Sequence, residues 1–304
     1  MAACPALLIE AFTSEPLSGN GAAVVRLEQA AEAPWMQGVA NSLRQSETAF
    51  LWRAPEGPWQ LRWFTPTCEV PLCGHATLAA TLALHRWGLL AEGQGLRLAT
   101  RSGGLTVEVN SGEGEGDGER KGEGPRVSLT LPGGGLMPEP APPAYLAALL
   151  GVEPLAYWSS ALGYRVLLLP DGWPLAALTL ASGDLQGPDR RGLVLMQAAP
   201  EGTPTLAGQA CDYQLRFFAP DLGIEEDPVT GSAHALVAPW WMERLQRSAV
   251  RGWQASQRRG GMLCEAATPG AVRLSGTGHL LWDGQIHAPG CGHDADGWRV
   301  CSSN

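Results

Sequence analysis

Short stretches in which apolar and β-branched residues alternate with polar ones recur along the chain and predict a protein built mainly of strands. Two segments break this pattern, because 75–87 (HATLAATLALHRW) and 232–245 (SAHALVAPWWMERL) are apolar at most positions. A helix that is apolar on all sides is buried on all sides. We therefore predict that each is a helix in the middle of a domain with a sheet wrapped around it, and we add a weaker helix at 143–150. The predicted strands lie at 6–13, 22–28, 48–52, 59–64, 96–100, 105–109, 126–131, 164–169, 192–198 and 213–218.

The two helical segments belong to an internal repeat. The sequence RWFTP at 62–66 recurs as RFFAP at 216–220, and EVPLCGHA at 69–76 recurs as EDPVTGSA at 226–233. Each copy runs from a strand through a proline-containing turn and a glycine into the buried helix. Repeats in one order, half a chain apart, indicate a duplicated domain. The predicted fold class is α+β, with two pseudo-symmetric domains, each a curled, mostly antiparallel mixed sheet around a central buried helix.

The chain of 304 residues has the length of two domains. We place the first domain at 1–124 and the second at 125–285, and we treat 286–304 as a tail that can cross back to the first domain. Residues 111–125 (SGEGEGDGERKGEGP) are rich in glycine and glutamate, so they are predicted to form a flexible, solvated loop between two strands.

Charge and composition exclude several partners. The net charge is −9 and the basic residues are not clustered, which argues against nucleic acid, since affinity for phosphates comes from dense positive charge. The longest apolar runs hold about nine residues, whereas a membrane helix needs roughly 20. The N-terminal segment lacks a basic start and carries Glu10, which indicates a strand and not a signal peptide. The seven cysteines follow no secreted disulfide pattern, so reduced thiols in a cytoplasmic protein are expected.

The repeated junctions predict a ligand site. Gly74 and Gly231 stand where the chain turns into each helix, and glycine there lets a ligand approach the backbone closely. The free N–H groups and the positive dipole end of a helix attract anions. In a pseudo-symmetric pair the two helix starts would face each other across a cleft. We therefore expect a small carboxylate substrate between them.

The two copies differ in the residues that carry chemistry. Cys73 corresponds to Thr230, and His75 corresponds to Ser232. A racemase that uses two thiols is disfavoured, because Thr230 cannot ionise at a usable pH. Cys73 is either a nucleophile assisted by the helix start or a buried structural thiol. His75 is expected to have a pKa lowered by the helix dipole, so that a neutral imidazole polarises the substrate, or else to make only a local hydrogen bond.

The spacing of the cysteine, histidine, serine and aspartate residues does not favour a metal site or a hydrolase. Cys73 and His75 supply only two ligands, and no second motif completes a zinc set. The C-terminal sequence CGHDADGWRVC at 291–301 groups cysteine, histidine and aspartate in a tail, which is weak evidence for a metal. Ser232 and His234 lie two positions apart on one helix and therefore point to different faces, which excludes a serine triad with Asp227. We predict no metal and no cofactor.

Four segments together resemble one family. They are SGNGAAVV (18–25), QSETAF (45–50), RWFTPTCEVPLCGHATLAA (62–80) and EEDPVTGSAHALVAP (225–239). They resemble the PhzF phenazine-biosynthesis family, which belongs to the diaminopimelate epimerase and proline racemase superfold. The resemblance runs from residue 5 to about 285 and implies two similar domains, an active site in the cleft, no cofactor or metal, and a homodimer.

The resemblance also implies roles for residues. In the phenazine enzyme of that family, a glutamate moves a proton within trans-2,3-dihydro-3-hydroxyanthranilate. Carried over by motif, that glutamate is Glu47, and His75 and Asp227 complete the catalytic set. One carboxylate can act as base and then as acid if an enclosed site raises its pKa. The implied substrate-binding residues are Asn20, Cys73, Gly74, Thr230, Gly231 and Ser232.

The leading hypothesis is therefore a cofactor-independent isomerase that moves a proton within a small carboxylated substrate bearing an amino or hydroxyl group. Two alternatives stay open. One is a non-catalytic protein that binds a small molecule in the same cleft. The other is an epimerase that uses the single thiol of Cys73.

Overall fold

The computed structural model describes residues 3–111 and 124–287. These residues form two compact units. The first holds the described residues up to Thr130 together with those from Gly276 onward, and the second is Leu131–Ser275. Most of the predicted loop at 111–125 and nearly all of the tail at 286–304, including the CGHDADGWRVC sequence at 291–301, lie outside the described residues.

The helices are α1 (Ala33–Leu43), α2 (Gly74–Arg86), α3 (Ala144–Leu150) and α4 (Gly231–Leu245). The first eight strands are β1 (Cys4–Ala11), β2 (Asn20–Arg26), β3 (Glu47–Arg53), β4 (Trp59–Phe64), β5 (Glu69–Val70), β6 (Gln94–Thr100), β7 (Gly103–Asn110) and β8 (Arg126–Pro132). The others are β9 (Leu136–Pro138), β10 (Ala156–Ser160), β11 (Arg165–Leu168), β12 (Leu193–Ala198), β13 (Tyr213–Ala219), β14 (Ile224–Asp227), β15 (Ala249–Gln254), β16 (Gly260–Ala266), β17 (Ala271–Gly276) and β18 (Gly278–Ile286).

The two units contain sheets with the same order and direction of strands. In the first, the order is β18-β1-β2-β3-β4-β6-β7-β8, with β5 added to β4, and the parallel pairs are β2 with β3 and β4 with β6. In the second, the order is β9-β10-β11-β12-β13-β15-β16-β17, with β14 added to β13, and the parallel pairs are β11 with β12 and β13 with β15. The other pairs within these two orders are antiparallel. The matching order confirms the predicted α+β fold of two repeated halves.

Helix α2 is the core of the first unit. It packs against β1, β2, β3, β7 and β18, and every residue from His75 to Leu84 is buried, as its mostly apolar sequence predicts. Its buried threonines satisfy their hydroxyl groups within the helix, since Thr77 donates to the carbonyl of Cys73 at 2.5 Å and Thr81 to that of Thr77 at 2.8 Å. Helix α4 occupies the corresponding place in the second unit, against β9, β15 and β16.

The hydrophobic pattern does not predict helix α1. Its sequence contains Pro34, Gly38 and Asn41, which have low helix propensity. Only one face, which includes Met36 and Ala40, is buried. The helix follows from topology, because the parallel strands β2 and β3 need a crossover connection, and such connections are usually helical.

The structure differs from the predicted domain boundary at 285. Strand β18 belongs to the first unit, where it pairs antiparallel with β1 from Cys4 opposite Ile286 to Ala11 opposite Gly278. Strand β1 pairs with β2 on its other side, so β18 provides the hydrogen-bond partners that the edge of β1 would lack. The crossing back of the chain therefore begins well before residue 286.

Four cysteines of the described residues are free thiols: Cys4, Cys73, Cys211 and Cys264. Cys68 is disulfide-bonded, so the expectation of reduced thiols throughout is wrong at this position. Among the described helices, none has both the length and the apolar character that a bilayer crossing demands.

Candidate active site

Three elements of the first unit converge on one imidazole. Asn20 is the first residue of β2, Glu47 is the first of β3, and His75 lies in the first turn of α2. Because β2 and β3 run parallel in register, with Ala22 opposite Glu47, their first residues lie at the same edge of the sheet. All three functional side chains are buried.

The turn that precedes Asn20 requires glycine. Gly19 has a φ of 65°, in the left-handed region, and a Cβ at this position would lie 2.4 Å from the carbonyl oxygen of Ala11. The turn therefore fixes where β2 begins and where Asn20 stands. Gly74 and Gly231 are the first residues of α2 and α4, as the repeat predicts.

His75 belongs to a closed ring of hydrogen bonds with Asn20 and Ser46. Nδ2 of Asn20 lies 3.2 Å from Nδ1 of His75, and Oγ of Ser46 lies 3.1 Å from Nε2. Ser46 is also within donating distance of Oδ1 of Asn20 and of the carbonyl of Gly21, each at 2.9 Å. When the imidazole is neutral, Nδ1 accepts from the Asn20 amide nitrogen and the ring proton is on Nε2, whereas in the imidazolium both ring nitrogens donate.

The carboxylate of Glu47 lies beside this ring. Its Oε2 is 2.9 Å from Nε2 of His75, which is an ion-pair distance, and both side chains are more than nine-tenths buried. Among the described residues, no aligned donor gives a hydrogen bond to this oxygen. Oε2 of Glu47 is thus the atom of the cluster with capacity left for a ligand.

The charges of the cluster act on both Cys73 and His75, whose Sγ and Nδ1 atoms lie 3.4 Å apart. Burial, with the charge of Glu47, raises the pKa of the Cys73 thiol to about 11, so the thiol is protonated near neutral pH. Burial lowers the pKa of His75, but Cys73 and Glu47 raise it by more, and the pKa lies well above its usual value. The prediction that the helix dipole lowers the pKa of His75 is wrong, because these closer groups outweigh the dipole.

The same three side chains could serve as metal ligands. Glu47, Cys73 and His75 each place a donor atom within 4.8 Å of the other two. The sequence spacing indicated only Cys73 and His75 as potential metal ligands, because Glu47 is distant from them along the chain. A carboxylate, an imidazole and a thiolate suit zinc with one position left open. The raised pKa of Cys73 opposes formation of that thiolate at neutral pH.

The second copy of the motif forms a cluster within the second unit. Thr230 donates from Oγ1 to Oδ2 of Asp227 at 2.6 Å. Gln254 holds the same turn, because its Nε2 donates to the carbonyl of Asp227 at 2.5 Å and its Oε1 accepts from the N–H of Thr230 at 2.7 Å. Ser232, in the first turn of α4, has its Oγ 3.4 Å from the hydroxyl of Tyr164.

A family model described as "Phenazine biosynthesis-like protein" matches residues 9–284, which is nearly the whole chain. The chain belongs to the phenazine biosynthesis-like family. Pseudomonas aeruginosa has a relative named uncharacterized isomerase PA2770, 34% identical over 281 residues, which are 92% of this chain and 97% of that protein. The crystal structure of a PhzF-family protein from Enterococcus faecalis matches with a TM-score of 0.78 at 30% identity and covers 94% of this chain and 100% of that one.

The fold of the phenazine biosynthesis-like family extends to epimerases. A hydroxyproline epimerase from Agrobacterium vitis matches this chain with a TM-score of 0.55 at 11% identity, over 93% of this chain and 92% of that one. At this identity the likeness shows the fold alone. It agrees with the superfold that the sequence motifs imply.

In this phenazine biosynthesis-like chain the predicted site residues fall into two groups. The first unit holds Asn20, Glu47, Cys73, Gly74 and His75, and the second unit holds Asp227, Thr230, Gly231 and Ser232. Sequence reasoning missed Ser46, Tyr164 and Gln254. Ser46 directly precedes Glu47 in the QSETAF motif, so the motif did contain a signal for it. Gln254 is the last residue of β15, a strand that the hydrophobic pattern does not predict, so the sequence contained no signal for Gln254.

Proposed function

We propose that this chain is a cofactor-independent isomerase in which Glu47 moves a proton between two carbon atoms of a small carboxylate. The isomerase names of its relatives support the reaction class. The observation that carries the proposal is Oε2 of Glu47, which is buried, lies 2.9 Å from His75 and receives no aligned hydrogen bond from the described residues.

In the proposed reaction Glu47 is a base and then an acid. The carboxylate takes a proton from one carbon, the electron pair of that C–H bond delocalises within the substrate, and the carboxylic acid returns the proton to another carbon. Before the reaction the imidazolium of His75 lies 2.9 Å from the carboxylate that acts as the base. Once Glu47 has taken the proton, the positive charge of His75 stabilises the negative charge that has moved to the substrate.

The remaining predicted residues are proposed to bind substrate. The free N–H groups at the start of α2 suit a carboxylate. Asp227 and Ser232 suit amino and hydroxyl groups, by their chemistry and by the family resemblance. Thr230 donates to the carboxylate of Asp227 and Gln254 holds the backbone of the same turn, so we assign both a positioning role.

An epimerase that uses Cys73 is the second candidate. In its favour, Sγ of Cys73 lies 3.4 Å from Nδ1 of His75, which accepts a proton from the thiol only when the imidazole is neutral. Against it, the pKa of Cys73 is raised to about 11. A non-catalytic binding protein, the third candidate, needs the same cluster only as a ligand site.

Proton exchange in heavy water tests the proposal. The protein is incubated with a panel of small amino- and hydroxy-carboxylates in D₂O, and loss of substrate C–H signals is followed by NMR. Glu47→Gln should slow exchange by about 10²- to 10⁴-fold, the range that a positioned acid or base contributes. Glu28→Gln, which neutralises an exposed carboxylate, is the matched control. An undiminished rate in Glu47→Gln contradicts the proposal, and binding without any exchange favours the third candidate.

A further inference from the structure

The first unit contains an open cavity of about 560 Å³ that neither Glu47 nor His75 lines. Arg62, Glu69 and Arg101 form its polar wall, and Trp52 and Ala99 belong to its apolar wall. We propose that this cavity binds a small organic carboxylate with an apolar body, at a site separate from that of the proposed isomerisation.

The polar wall has one more positive than negative charge. Arg62 donates from Nε and Nη2 to the two oxygens of Glu69 at 2.7 and 2.8 Å, and Arg101 binds the same carboxylate through Nη1. Burial raises the pKa of Glu69, but the two arginines lower it by more, so Glu69 is ionised and neutralises only one of them.

Both arginines keep donors for a ligand. Within the described part of the chain, Nη1 of Arg62 and both Nε and Nη2 of Arg101 make no hydrogen bond to protein. The Arg62 side chain is 20% exposed and that of Arg101 is 59% exposed, whereas Glu69 is 5% exposed. The guanidinium groups therefore stand between the buried carboxylate and the solvent-accessible cavity, where an anion can reach them.

The second unit has an arginine at the equivalent position whose Nη1 group is hydrogen-bonded to the protein. Arg216 occupies the position of Arg62 in the repeat and binds Glu226 through Nε and Nη2 at 2.6 and 2.7 Å. Its Nη1 donates to the carbonyl of Leu175 at 3.1 Å and to that of Leu178. Backbone carbonyls thus accept the hydrogen bonds of Nη1 of Arg216, whereas Nη1 of Arg62 has no acceptor among the described residues and is available to a ligand.

The strand registers identify the substitutions that open the cavity. Strand β4 pairs with β6 at Ala99, and β13 pairs with β15 at Trp253, at equivalent positions of the repeat. Ala99 in the first unit is therefore equivalent to Trp253 in the second, and Arg101, two residues later, is equivalent to Ala255. The first exchange removes a large side chain and the second adds a charge. Both differences lie on one wall of the cavity, where alanine occupies less space than the indole and Arg101 adds a positive charge.

The composition of the walls selects the ligand. Guanidinium edges bind carboxylates with paired hydrogen bonds. A single excess positive charge matches a monoanionic carboxylate better than a phosphate dianion. The indole of Trp52 and the methyl group of Ala99 suit an aliphatic or aromatic body. The volume of about 560 Å³ lies in the usual range for small-molecule sites.

The test uses 4-bromobenzoate as the probe. Crystals of the full chain are soaked with it, the anomalous signal of bromine gives its position, and titration calorimetry gives its affinity in solution. We expect bromine in the cavity. Arg101→Gln should weaken binding by roughly tenfold or more, as expected for loss of a charge-assisted hydrogen bond. Ala99→Trp, which reproduces the second unit and keeps both arginines, should abolish binding. Arg97→Gln is the control, since it removes an equal charge from an exposed position of β6.

Four outcomes would overturn the proposal. They are bromine bound only elsewhere, no heat of binding in solution, equal affinity in wild type and Arg101→Gln, and equal affinity for the neutral 4-bromobenzamide. Tighter binding of inorganic phosphate than of 4-bromobenzoate would overturn the choice of a carboxylate. These variants leave Glu47 and His75 unchanged, so failure here is distinguishable from failure of the proposed isomerase.

Discussion

Nε2 of His75 lies 2.9 Å from Oε2 of Glu47, where helix α2 and strand β3 begin. Both groups are buried, so each charge is felt strongly by the other, and their protonation is coupled. Sγ of Cys73 lies close to the same imidazole and adds a third titrating group. The pH behaviour of the site therefore depends on this pair, and it can be measured without a substrate.

Glu47→Gln should lower the pKa of His75. Burial already favours the neutral imidazole, and the variant removes a negative charge that favours the imidazolium. A pH titration of the His75 ring signals by ¹H–¹³C NMR measures the shift. Glu28→Gln, at an exposed position, should leave the titration unchanged. An unchanged pKa of His75 in Glu47→Gln would show that the carboxylate is not its cause.

The folded protein should lose stability as the pH rises above about 6.5, the ordinary pKa of histidine. The pKa of His75 is raised on folding, so its stabilising contribution is fully present below that pH and is lost as the pH rises through the folded pKa. Cys73 has the same sign at higher pH, with loss up to about 11. Urea unfolding at a series of pH values measures the free energy of unfolding.

His75→Gln supplies the comparison for this pH dependence. It should flatten the fall in unfolding free energy just above pH 6.5, because it removes the titrating group. His279→Gln changes a histidine on β18 and is the control. If wild type and His75→Gln lose stability in parallel over this range, the linkage to His75 is refuted.

Helices α2 and α4 could be predicted because burial on every side requires apolar residues at every position. The strands after α4 could not, for a reason that Gly252 in β15 illustrates. A Cβ at Gly252 would lie 2.4 Å from both Nδ1 of His234 and the hydroxyl of Tyr213. Close packing there requires glycine, and glycine removes the hydrophobic signal that identifies a strand.

The candidate site was only partly predictable for a similar reason. The spacing of Cys73 and His75, which lie close together in sequence, indicated a possible site. Glu47 lies on strand β3, and only the resemblance of its motif to the family indicated a role for it. The role of Ser46 depends on a distance to the ring, which sequence does not contain. The contrast between Ala99 and its counterpart in the second unit depends on strand register and became visible only in the fold.

Asn20→Asp should raise the pKa of His75 and lower kcat. The Asn20 amide donates to Nδ1 in the observed ring, whereas a carboxylate can only accept there and so favours a proton on Nδ1. We expect kcat to fall by roughly tenfold to a hundredfold, the scale seen when a reacting group is misplaced. The pH profile and the NMR titration of His75 should shift together, which a purely structural defect would not produce.

Two further variants complete the test of Asn20. Asn20→Ala removes the partner at Nδ1 without adding charge, so it should reduce kcat with a smaller change in the pKa of His75. Asn110→Asp, at the end of β7, adds the same charge at a position outside the ring and should leave both quantities unchanged. A wild-type pH profile in Asn20→Asp would contradict the inference that Asn20 sets the protonation of His75.

Cys73→Ser should keep most of the activity, and this outcome separates the two catalytic candidates. With its pKa raised to about 11, Cys73 is a neutral thiol at pH 7.5 and neither attacks nor removes a proton efficiently. Serine keeps a small hydrogen-bonding group beside Nδ1 of His75. Cys264→Ser, a buried thiol of the second unit, controls for packing effects. Exchange in D₂O abolished by Cys73→Ser but retained in both Cys264→Ser and Glu47→Gln would establish the thiol as the base and replace the proposed mechanism with a one-thiol epimerase.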